Sequence, residues 1–326
     1  MTKYCLLYMN RVSELRKKIF REAYVSGINN SNGPIEDKLK LKKSTINYVL
    51  EKLEKERYFL KTKYDLNLNT IGIGNFAWVL LSINWETQTP QNIVKKLLKL
   101  PQVITIADIT GEKDIAVKII GPSINNISAF ILMMEKTFNG IITDTQVYFA
   151  SKEYKRHYLP VQKNIPFHPS EIDCKILFEK MENPKANLLE IAQKYKIHRN
   201  TVSNRWEKLW KGGVVVKELP DLTQKGYDEL KMGLKAFIII KPVPGKEEKI
   251  IKGLLKNPEI QDIFTTISNE IILILRTENS STLANAHKYL TSTDNSIKRT
   301  NTSIFLTKNT KKALGLLEMK TLLNHA

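Results

Sequence analysis

The chain of 326 residues repeats itself. Three separate segments recur at almost the same offset, 156 or 157 residues, which is hard to obtain by chance. A chain of this kind is expected to fold as two similar units joined in one polypeptide. The recurring pairs are Thr45 and Leu53 with Thr201 and Leu209, Pro101 with Pro258, and VYFASK from Val147 with SIFLTK from Ser303.

Residues 187–216 carry the pattern of a helix-turn-helix followed by a short strand. Apolar residues recur at helical spacing on both sides of a turn, Asn187 and Glu190 stand at capping-box spacing, and Gly212 and Gly213 follow the second helix. That helix, 199–211, is the expected recognition helix, whose polar side chains would contact DNA bases or phosphates. The alternative is the ordinary solvated face of an amphipathic helix. The candidate DNA-binding residues are Arg199, Asn200, Thr201, Ser203 and Asn204.

The first copy has the same pattern with different polar residues. Val49 stands where the second copy has Arg205, and Arg57 replaces the terminating Gly213. The two copies are therefore expected to read different base sequences. Candidate DNA-binding residues of the first copy are Lys42, Lys43, Ser44, Asn47 and Tyr48.

The charge of the chain favours a polyanionic partner. Its 51 Lys and Arg against 33 Asp and Glu leave a formal net charge of +18. DNA, RNA and an anionic membrane surface would all be attracted by this excess. No apolar run is long enough to cross a bilayer. The apolar stretch at the amino terminus is also too short for a secretory signal. We therefore expect a soluble, cytoplasmic protein.

The sequence shows no pattern of a metal or cofactor site. Cys5 and Cys174 are far apart and outside any metal-ligand spacing, and the five histidines are scattered. GIGN from Gly72 lacks the rest of a dinucleotide fingerprint. We expect no metal, no cofactor and no enzymatic activity, and we expect Cys174 to be a buried helix residue.

Each helix-turn-helix precedes strands and helices in the order βαββαβ, the ferredoxin-like arrangement. Strands such as FAWVLLSI from Phe76 and AFIIIK from Ala236 are apolar on both faces. A sheet with helices on one side only cannot leave its other face apolar in water. We expect the two units to cover each other within one chain, with a unit from another chain as the alternative. The predicted fold class is α+β, with two copies of a winged helix-turn-helix followed by a ferredoxin-like domain in an intrachain pseudo-dimer.

Domain boundaries follow from these patterns. Proline residues break helices in a connector between the copies, 151–171, of which 157–168 is the linker proper. The last residues, with Leu314, Leu317 and Leu322 at helical spacing, predict an added helix. The predicted units are 1–66 (first winged helix-turn-helix), 67–156 (first ferredoxin-like domain), 169–222 (second winged helix-turn-helix) and 223–326 (second ferredoxin-like domain with the added helix).

This order of units resembles the Lrp/AsnC family, the feast/famine transcription regulators of archaea and bacteria. The motifs that carry the resemblance are TVSNRWEKLWKGGVV in the recognition helix and LPQVITIADITGEKDIAVKI in the first α/β unit. The resemblance covers most of the chain, once in each of the two copies. It implies a DNA-binding transcription regulator whose α/β unit, the RAM domain, dimerises, assembles further and in many members binds an amino acid or other small effector.

The same resemblance assigns an effector region to the turn after the strand VITIADI. The alternative is a tight hairpin turn in which Gly111 supplies an unusual backbone angle and Asp114 caps the turn. In the second copy the corresponding turn consists of Ser268, Asn269 and Glu270 and contains no glycine. A second effector site is therefore not expected. The implied effector residues are Thr110, Gly111, Glu112 and Asp114.

Two other functions remain as alternatives. Siroheme decarboxylases share the architecture as fused pairs, but they use a histidine- and arginine-rich strand pair, and the corresponding strands here contain no histidine. A degenerate regulator whose helix-turn-helix units serve only as packing or partner-binding modules is the second alternative.

Overall fold

The computed structural model describes residues 3–30, 33–86, 89–161, 166–292, 296–307 and 309–310. Each half of the chain runs from three helices to a βαββαβ unit. The first half contains α1 (Lys3–Val25), β1 (Asn29–Asn30), β2 (Gly33–Pro34), α2 (Ile35–Leu39), α3 (Lys43–Lys55), β3 (Phe59–Leu66), a 3-10 helix (Leu68–Ile71), β4 (Asn75–Ile83), α4 (Pro90–Leu98), β5 (Val103–Asp108), β6 (Ile115–Gly121), α5 (Ile124–Thr137) and β7 (Ile142–Arg156). The second contains β8 (Leu159–Pro160), α6 (Glu171–Glu182), α7 (Leu188–Tyr195), α8 (Arg199–Lys211), β9 (Val215–Leu222), α9 (Gln224–Glu229), β10 (Leu234–Pro242), α10 (Glu247–Leu255), β11 (Ile260–Thr266), β12 (Ile271–Thr277), α11 (Ser280–Ser292), β13 (Ile297–Ile304) and β14 (Asn309–Thr310).

We call α1–α3 the first head and α6–α8 the second head. The predicted capping box of α7 is confirmed: the Asn187 side chain accepts from the Glu190 N–H, and Glu190 accepts from the Asn187 N–H. After α8 the chain leaves the helix through Gly213, whose φ of +68° suits glycine. These local signals explain why the start of α7 and the bounds of α8 could be read from the sequence.

A four-stranded sheet in the order β2-β1-β9-β3 connects the two heads. Strands β3 and β9 come from different halves and pair antiparallel. Each also packs into the core of the opposite head: Leu66 of β3 lies with Leu209 of the second head, and Leu222 of β9 lies with Phe20 of the first. The position of each head therefore depends on a strand of the other half.

The two βαββαβ units form one ten-stranded sheet in the order β13-β10-β12-β11-β7-β4-β6-β5-β14, with β8 paired to β7. Strand β7 pairs with β4 of its own half and then with β11 of the second half. We call this β7–β11 contact the long seam. At the other end β14 of the second half pairs with β5 of the first, and we call this contact the short seam.

The inner faces of the two halves cover each other with a shared aromatic core. The rings of Trp78 and Phe237 lie 5.5 Å apart between centroids, and those of Phe76 and Phe264 lie 5.0 Å apart. Both contacts join one half to the other, and the rings belong to one buried cluster. Each half packs its own helices against the outer face, in two further clusters. This covering explains why β4, β10 and β12 are apolar on both faces.

The structure shifts one of the sequence repeats by one residue. Tyr148 lies opposite Trp78 in the first half, and Ser303 lies opposite Phe237 in the second. The sequence offset instead matched Val147 with Ser303, although Val147 packs against the outer helices. A slip of one residue reverses the face of a strand, so this alignment was wrong by one position.

Two further expectations need correction. The connector is shorter than 151–171, because β7 continues to Arg156 within the sheet. Cys174 lies on helix α6 but is half-buried. The predicted helix with Leu314, Leu317 and Leu322 lies outside the described residues. Within the described part of the chain, we find no helix that is long and apolar enough to span a membrane.

Candidate nucleic-acid interface and effector turn

The second head presents polar side chains on the outer surface of α8. Val202 and Leu209 are buried in the core of this head, so the opposite side of the helix faces outward. Thr201 is half-buried. The structure brings the remaining predicted residues together on one accessible surface: Arg199, Asn200, Ser203 and Asn204 are exposed.

Helix α8 begins with a histidine cap. The Asn200 N–H donates to Nδ1 of His198 at 3.3 Å, and the His198 side chain is thereby held at the first turn. The first N–H groups of a helix have no partner inside the helix and attract anions. Arg199 lies at this same end, so one helix terminus combines a fixed cap, a cation and the helix dipole.

Arg205 is turned toward the protein. Its guanidinium lies 3.3 Å from Oδ2 of Asp173, a carboxylate that is fully buried at the start of α6. Asp173 also accepts hydrogen bonds from Ser170. At the position 156 residues before Asp173 the chain has Lys17, so Val49 in place of Arg205 leaves no buried carboxylate unpaired. The difference at Val49 is visible in the sequence, whereas the ion pair behind it is visible only in the structure.

The first head exposes a different set of residues on α3. Ile46, Leu50 and Leu53 are buried on the inner side of this helix. All five predicted residues lie on its accessible side or at its start, and the Tyr48 side chain is 67% exposed. These exposed residues are Lys42, Lys43, Ser44, Asn47 and Tyr48.

Two exposed or half-buried carboxylates of the second head are paired with lysines. Oε1 of Glu207 lies 2.6 Å from Nζ of Lys211, and the hydrogen bond from Lys211 lowers the pKa of the Glu207 carboxyl. Oε1 of Glu179 lies 2.7 Å from Nζ of Lys194. Because these acids are already neutralised, they do little to repel a phosphate backbone from α8.

The first predicted effector turn has a well-defined geometry. Oδ2 of Asp114 accepts from the Ile83 N–H at 2.8 Å, which holds the turn against β4. Gly111 has a φ of +113°, which strongly favours glycine. Glu112 is exposed, and Thr110 is half-buried with both its N–H and its hydroxyl bonded to Ile304. Asp114 and Gly111 thus have structural roles, whereas Glu112 is accessible to solvent.

The second turn satisfies its own carboxylate. Glu270 accepts from the Ser268 hydroxyl at 2.6 Å and also from the Thr266 hydroxyl. Asn269 takes the left-handed conformation with a φ of 65°. Burial raises the pKa of Tyr148 to about 12, and the carboxylates of Glu270 and Glu112 add to this effect. A carboxylate from each turn, Glu112 and Glu270, therefore lies close enough to the buried Tyr148 to raise its pKa.

A family model described as the Lrp/AsnC ligand binding domain matches residues 78–160. The HTH-type transcriptional regulator FL11 of Pyrococcus horikoshii is 33% identical over 118 residues, which are 35% of this chain and 75% of that protein. This chain belongs to the Lrp/AsnC family. FL11 of Pyrococcus furiosus is 29% identical over 116 residues, again 35% of this chain and 75% of the relative. The predicted family is confirmed.

Nearly all of this Lrp/AsnC-family chain also matches a solved fold. The siroheme decarboxylase NirDL, in co-complex with an iron-uroporphyrin III analogue, aligns over 96% of this chain and 100% of its own with a TM-score of 0.60. A second NirDL structure gives a TM-score of 0.59 over 96% and 99% of the two chains. The identities are 9% and 10%, so these matches show a shared fold and nothing about activity.

This Lrp/AsnC-family chain contains a buried ionic junction that no sequence pattern predicted. Oδ2 of Asp65 on β3 lies 2.9 Å from Nδ1 of His157. Lys217 of β9 is fully buried, and its Nζ donates to the carbonyls of Val25 and His157 at 2.6 and 2.7 Å. The backbone N–H of His157 donates to Oδ1 of Asp262 at 2.7 Å. The junction thus connects the first head, both long strands of the four-stranded sheet and β11.

Burial and charge act in opposite directions on this junction. Burial alone would raise the pKa of the Asp65 carboxyl, but the imidazole of His157 and the cations Arg156 and Lys217 hold that pKa well below its usual value. Burial lowers the pKa of Lys217 to about 8, although Asp65 and Asp262 oppose the change. The signal that could have found the junction is Asp65 and Lys217 on neighbouring strands, but pairing between halves is not visible in one sequence.

No cluster of potential metal ligands occurs among the described residues. His157 and His198 have the separate roles given above, and His287 lies 2.8 Å from the Thr300 hydroxyl on the outer side of the second half. The described histidines therefore do not converge on one chemical site.

Proposed function

We propose that this chain is a sequence-specific DNA-binding transcription regulator in which one polypeptide takes the place of an Lrp/AsnC dimer. The observation that carries the proposal is the exposed polar surface of α8, with Arg199 and Asn200 at a capped helix start. The N-terminal residues of a recognition helix are those that reach base edges in the major groove. The formal charge of +18 supports a polyanionic partner.

The proposed pseudo-dimer is supported by contacts that exchange parts between halves. Strand β3 joins the core of the second head, and β9 joins the core of the first. In addition, Lys185 of the second head lies 2.7 Å from Glu54 at the end of α3. The predicted domains 1–66, 67–156, 169–222 and 223–326 are therefore proposed as sequence units that do not fold independently.

We expect the two heads to select an asymmetric operator. Helix α8 presents Arg199 and Asn200, whereas α3 presents Lys43 and Tyr48 at its outer surface. Side chains of different chemistry favour different base edges. Selection of bound duplexes from a random library, with the full chain as bait, tests this expectation. Recovery of a perfect palindrome would contradict it.

Changing Arg199 and Asn200 together to alanine should reduce specificity more than general affinity. A lost base contact costs about 1–3 kcal/mol, so affinity for the selected operator should fall about 10- to 100-fold while affinity for random duplex changes little. Lys42→Ala with Lys43→Ala should weaken both duplexes alike, and the slope of log affinity against log salt should become shallower by about 2. Gel-shift titrations at several salt concentrations measure both effects.

Lys252→Ala on α10 is a matched control for charge. Lys252 is exposed, lies far along the chain from both heads and is paired with Glu248, so its loss removes one positive charge without a proposed DNA contact. We expect nearly unchanged operator binding. Equal losses on operator and random duplex for both variant pairs would show that the proposed division between base and phosphate contacts is wrong.

We further propose that the first effector turn, and not the second, binds a small effector such as an amino acid. Thr110, Gly111, Glu112 and Asp114 match the family turn, and the exposed Glu112 carboxylate is available for a cationic group. In the second turn the Glu270 carboxylate is already bonded to Thr266 and Ser268. RAM domains of neighbouring chains are also proposed to assemble further.

A tetrapyrrole enzyme is the alternative that the NirDL fold match keeps open. We propose that this chain is not an enzyme, because the strands facing the interior carry packed aromatic and aliphatic side chains in place of histidines. Visible absorbance of a bound tetrapyrrole in the purified protein would favour the alternative. Full-length protein that shows no salt-dependent affinity for duplex DNA would instead favour a regulator-like interaction protein.

A further inference from the structure

The chain crosses from the second half to the first along the edge of β5. After β13, the described residues 305–307 and 309–310 form what we call the strap. Phe305 forms an antiparallel bridge with Ile109, and the Leu306 N–H donates to the Asp108 carbonyl at 2.8 Å. Asn309 and Thr310 then pair with β5 and close the short seam. The strap is thus an added edge strand of the first half.

The end of β13, directly before the strap, occupies the polar groups of the first effector turn. The Thr110 N–H donates to the Ile304 carbonyl at 2.9 Å, and the Thr110 hydroxyl accepts from the Ile304 N–H at 2.9 Å. A Cβ built on Gly111 would lie 3.4 Å from Oγ of Ser303. The first effector turn therefore borders the end of β13, from which the strap continues past Ile109.

The Phe305 ring fills space between the two halves. Its centroid lies 6.0 Å from that of Trp78 and 6.4 Å from that of Phe237, and Nζ of Lys235 lies 4.5 Å from its centre. Trp78 is only 2% exposed, and its Nε1–H has no hydrogen-bond acceptor among the described residues. A buried donor without an acceptor is costly, and it marks a place where a polar ligand atom would be stabilised.

The two halves place their inner rings differently at this point. In the first half Tyr148 lies opposite Trp78, and the next inward residue of that strand is Ala150. In the second half the small Ser303 lies opposite Phe237, and the next inward residue is Phe305. The inward aromatic ring thus lies within the strand in the first half, at Tyr148, and in the strap in the second half, at Phe305.

Among the described residues, the short seam has fewer paired residues than the long seam. The long seam pairs β7 with β11 over residues 150–155, whereas Asn309 and Thr310 pair with β5 next to the single bridge of Phe305 with Ile109. Leu306 in the strap is 65% exposed. Segments with few buried contacts open locally at a lower free-energy cost than the rest of a fold.

We propose that the strap is an internal occupant of a ring-binding pocket beside the first effector turn, and that its release admits a ligand with an aromatic ring and a hydrogen-bond acceptor. The ring would replace Phe305, and the acceptor would take the Nε1–H of Trp78. The strap then competes with the effector, so the turn responds only when the short seam opens. This proposal deepens the proposed function, since it concerns the same turn.

Phe305→Ala, probed with free L-phenylalanine, tests the pocket. The variant should unfold several degrees below the wild-type chain, because an aromatic side chain is lost from between the halves. Millimolar L-phenylalanine should restore most of the lost Tm, and L-alanine, which lacks the ring, should restore none. Leu306→Ala is the matched control, since it changes an exposed strap residue, and L-phenylalanine should not stabilise it. Equal effects of both amino acids on Phe305→Ala would overturn the proposal.

Hydrogen exchange of the wild-type chain provides a measurement that needs no variant. The amides of Phe305 and Leu306 donate from the strap to the carbonyls of Lys235 and Asp108, whereas those of Tyr158 and Ile267 donate across the long seam. Release of the strap predicts exchange about 10-fold faster for the first pair. Equal rates would overturn the proposal. Neither experiment contains DNA, so a failure of DNA binding would leave both results interpretable.

Discussion

Phe237→Ala is expected to lower the free energy of unfolding by about 3–5 kcal/mol. The Phe237 side chain is fully buried, and its ring contacts Trp78 and Tyr148 of the other half, with centroids 5.5 and 6.3 Å away. Removing the ring leaves a cavity that rigid strands on both sides cannot fill. Urea unfolding followed by circular dichroism measures the change.

Ile267→Ala is the matched control for this prediction. Ile267 follows β11 directly and is 55% exposed, so its truncation should change the free energy of unfolding by no more than about 0.5 kcal/mol. A loss for Phe237→Ala no larger than that of the control would mean that the two halves do not bury each other. Such a result would also remove the basis of the proposed pseudo-dimer.

Lys217→Met should remove a pH dependence of stability that the wild-type chain shows above pH 8. Burial lowers the pKa of Lys217 to about 8, whereas a lysine in an unfolded chain titrates near about 10.4. Between these values the unfolded chain binds more protons, so the free energy of unfolding rises with pH. The gain is on the order of 3 kcal/mol by pH 10.5. It is absent below pH 8, where both states hold the proton.

Lys61→Met provides the comparison, because Lys61 lies 156 residues before Lys217 and is only half-buried. Urea unfolding of the wild type and both variants between pH 7 and 10.5 isolates the contribution, since all other titrating groups are shared. Lys61→Met should keep the rise. If Lys217→Met keeps it as well, the buried ammonium is not its source.

The structure follows the sequence most closely where the signals are local. Helix α8 begins at Arg199 and ends at Lys211, as the pattern indicated, because a cap at His198 and a glycine after the helix act on their immediate neighbours. The βαββαβ order follows for the same reason, since alternation and helical spacing are properties of short segments. The exposed surfaces of α3 and α8 could be predicted in the same way, because the polar residues of an amphipathic helix mark its exposed side.

The candidate effector turn was only partly predictable. Gly111 and Asp114 could be placed in a tight turn from residue type alone, and the structure gives them those positions. The engagement of Thr110 by Ile304 could not be foreseen, because 194 residues separate the two. A hydrogen bond between distant strands depends on which edges meet, and a single sequence does not encode that pairing in any local pattern.

The sequence by itself determined the family, the helix-turn-helix of the second head and the apolar faces that must be covered, and it predicted the duplication. Only the tertiary structure decided how the halves are joined: by exchanged strands β3 and β9, a long and a short seam, and a buried Lys217 between them. The reason is physical. Local patterns follow from neighbouring residues, whereas strand register and buried charge pairs are selected by packing across the whole molecule.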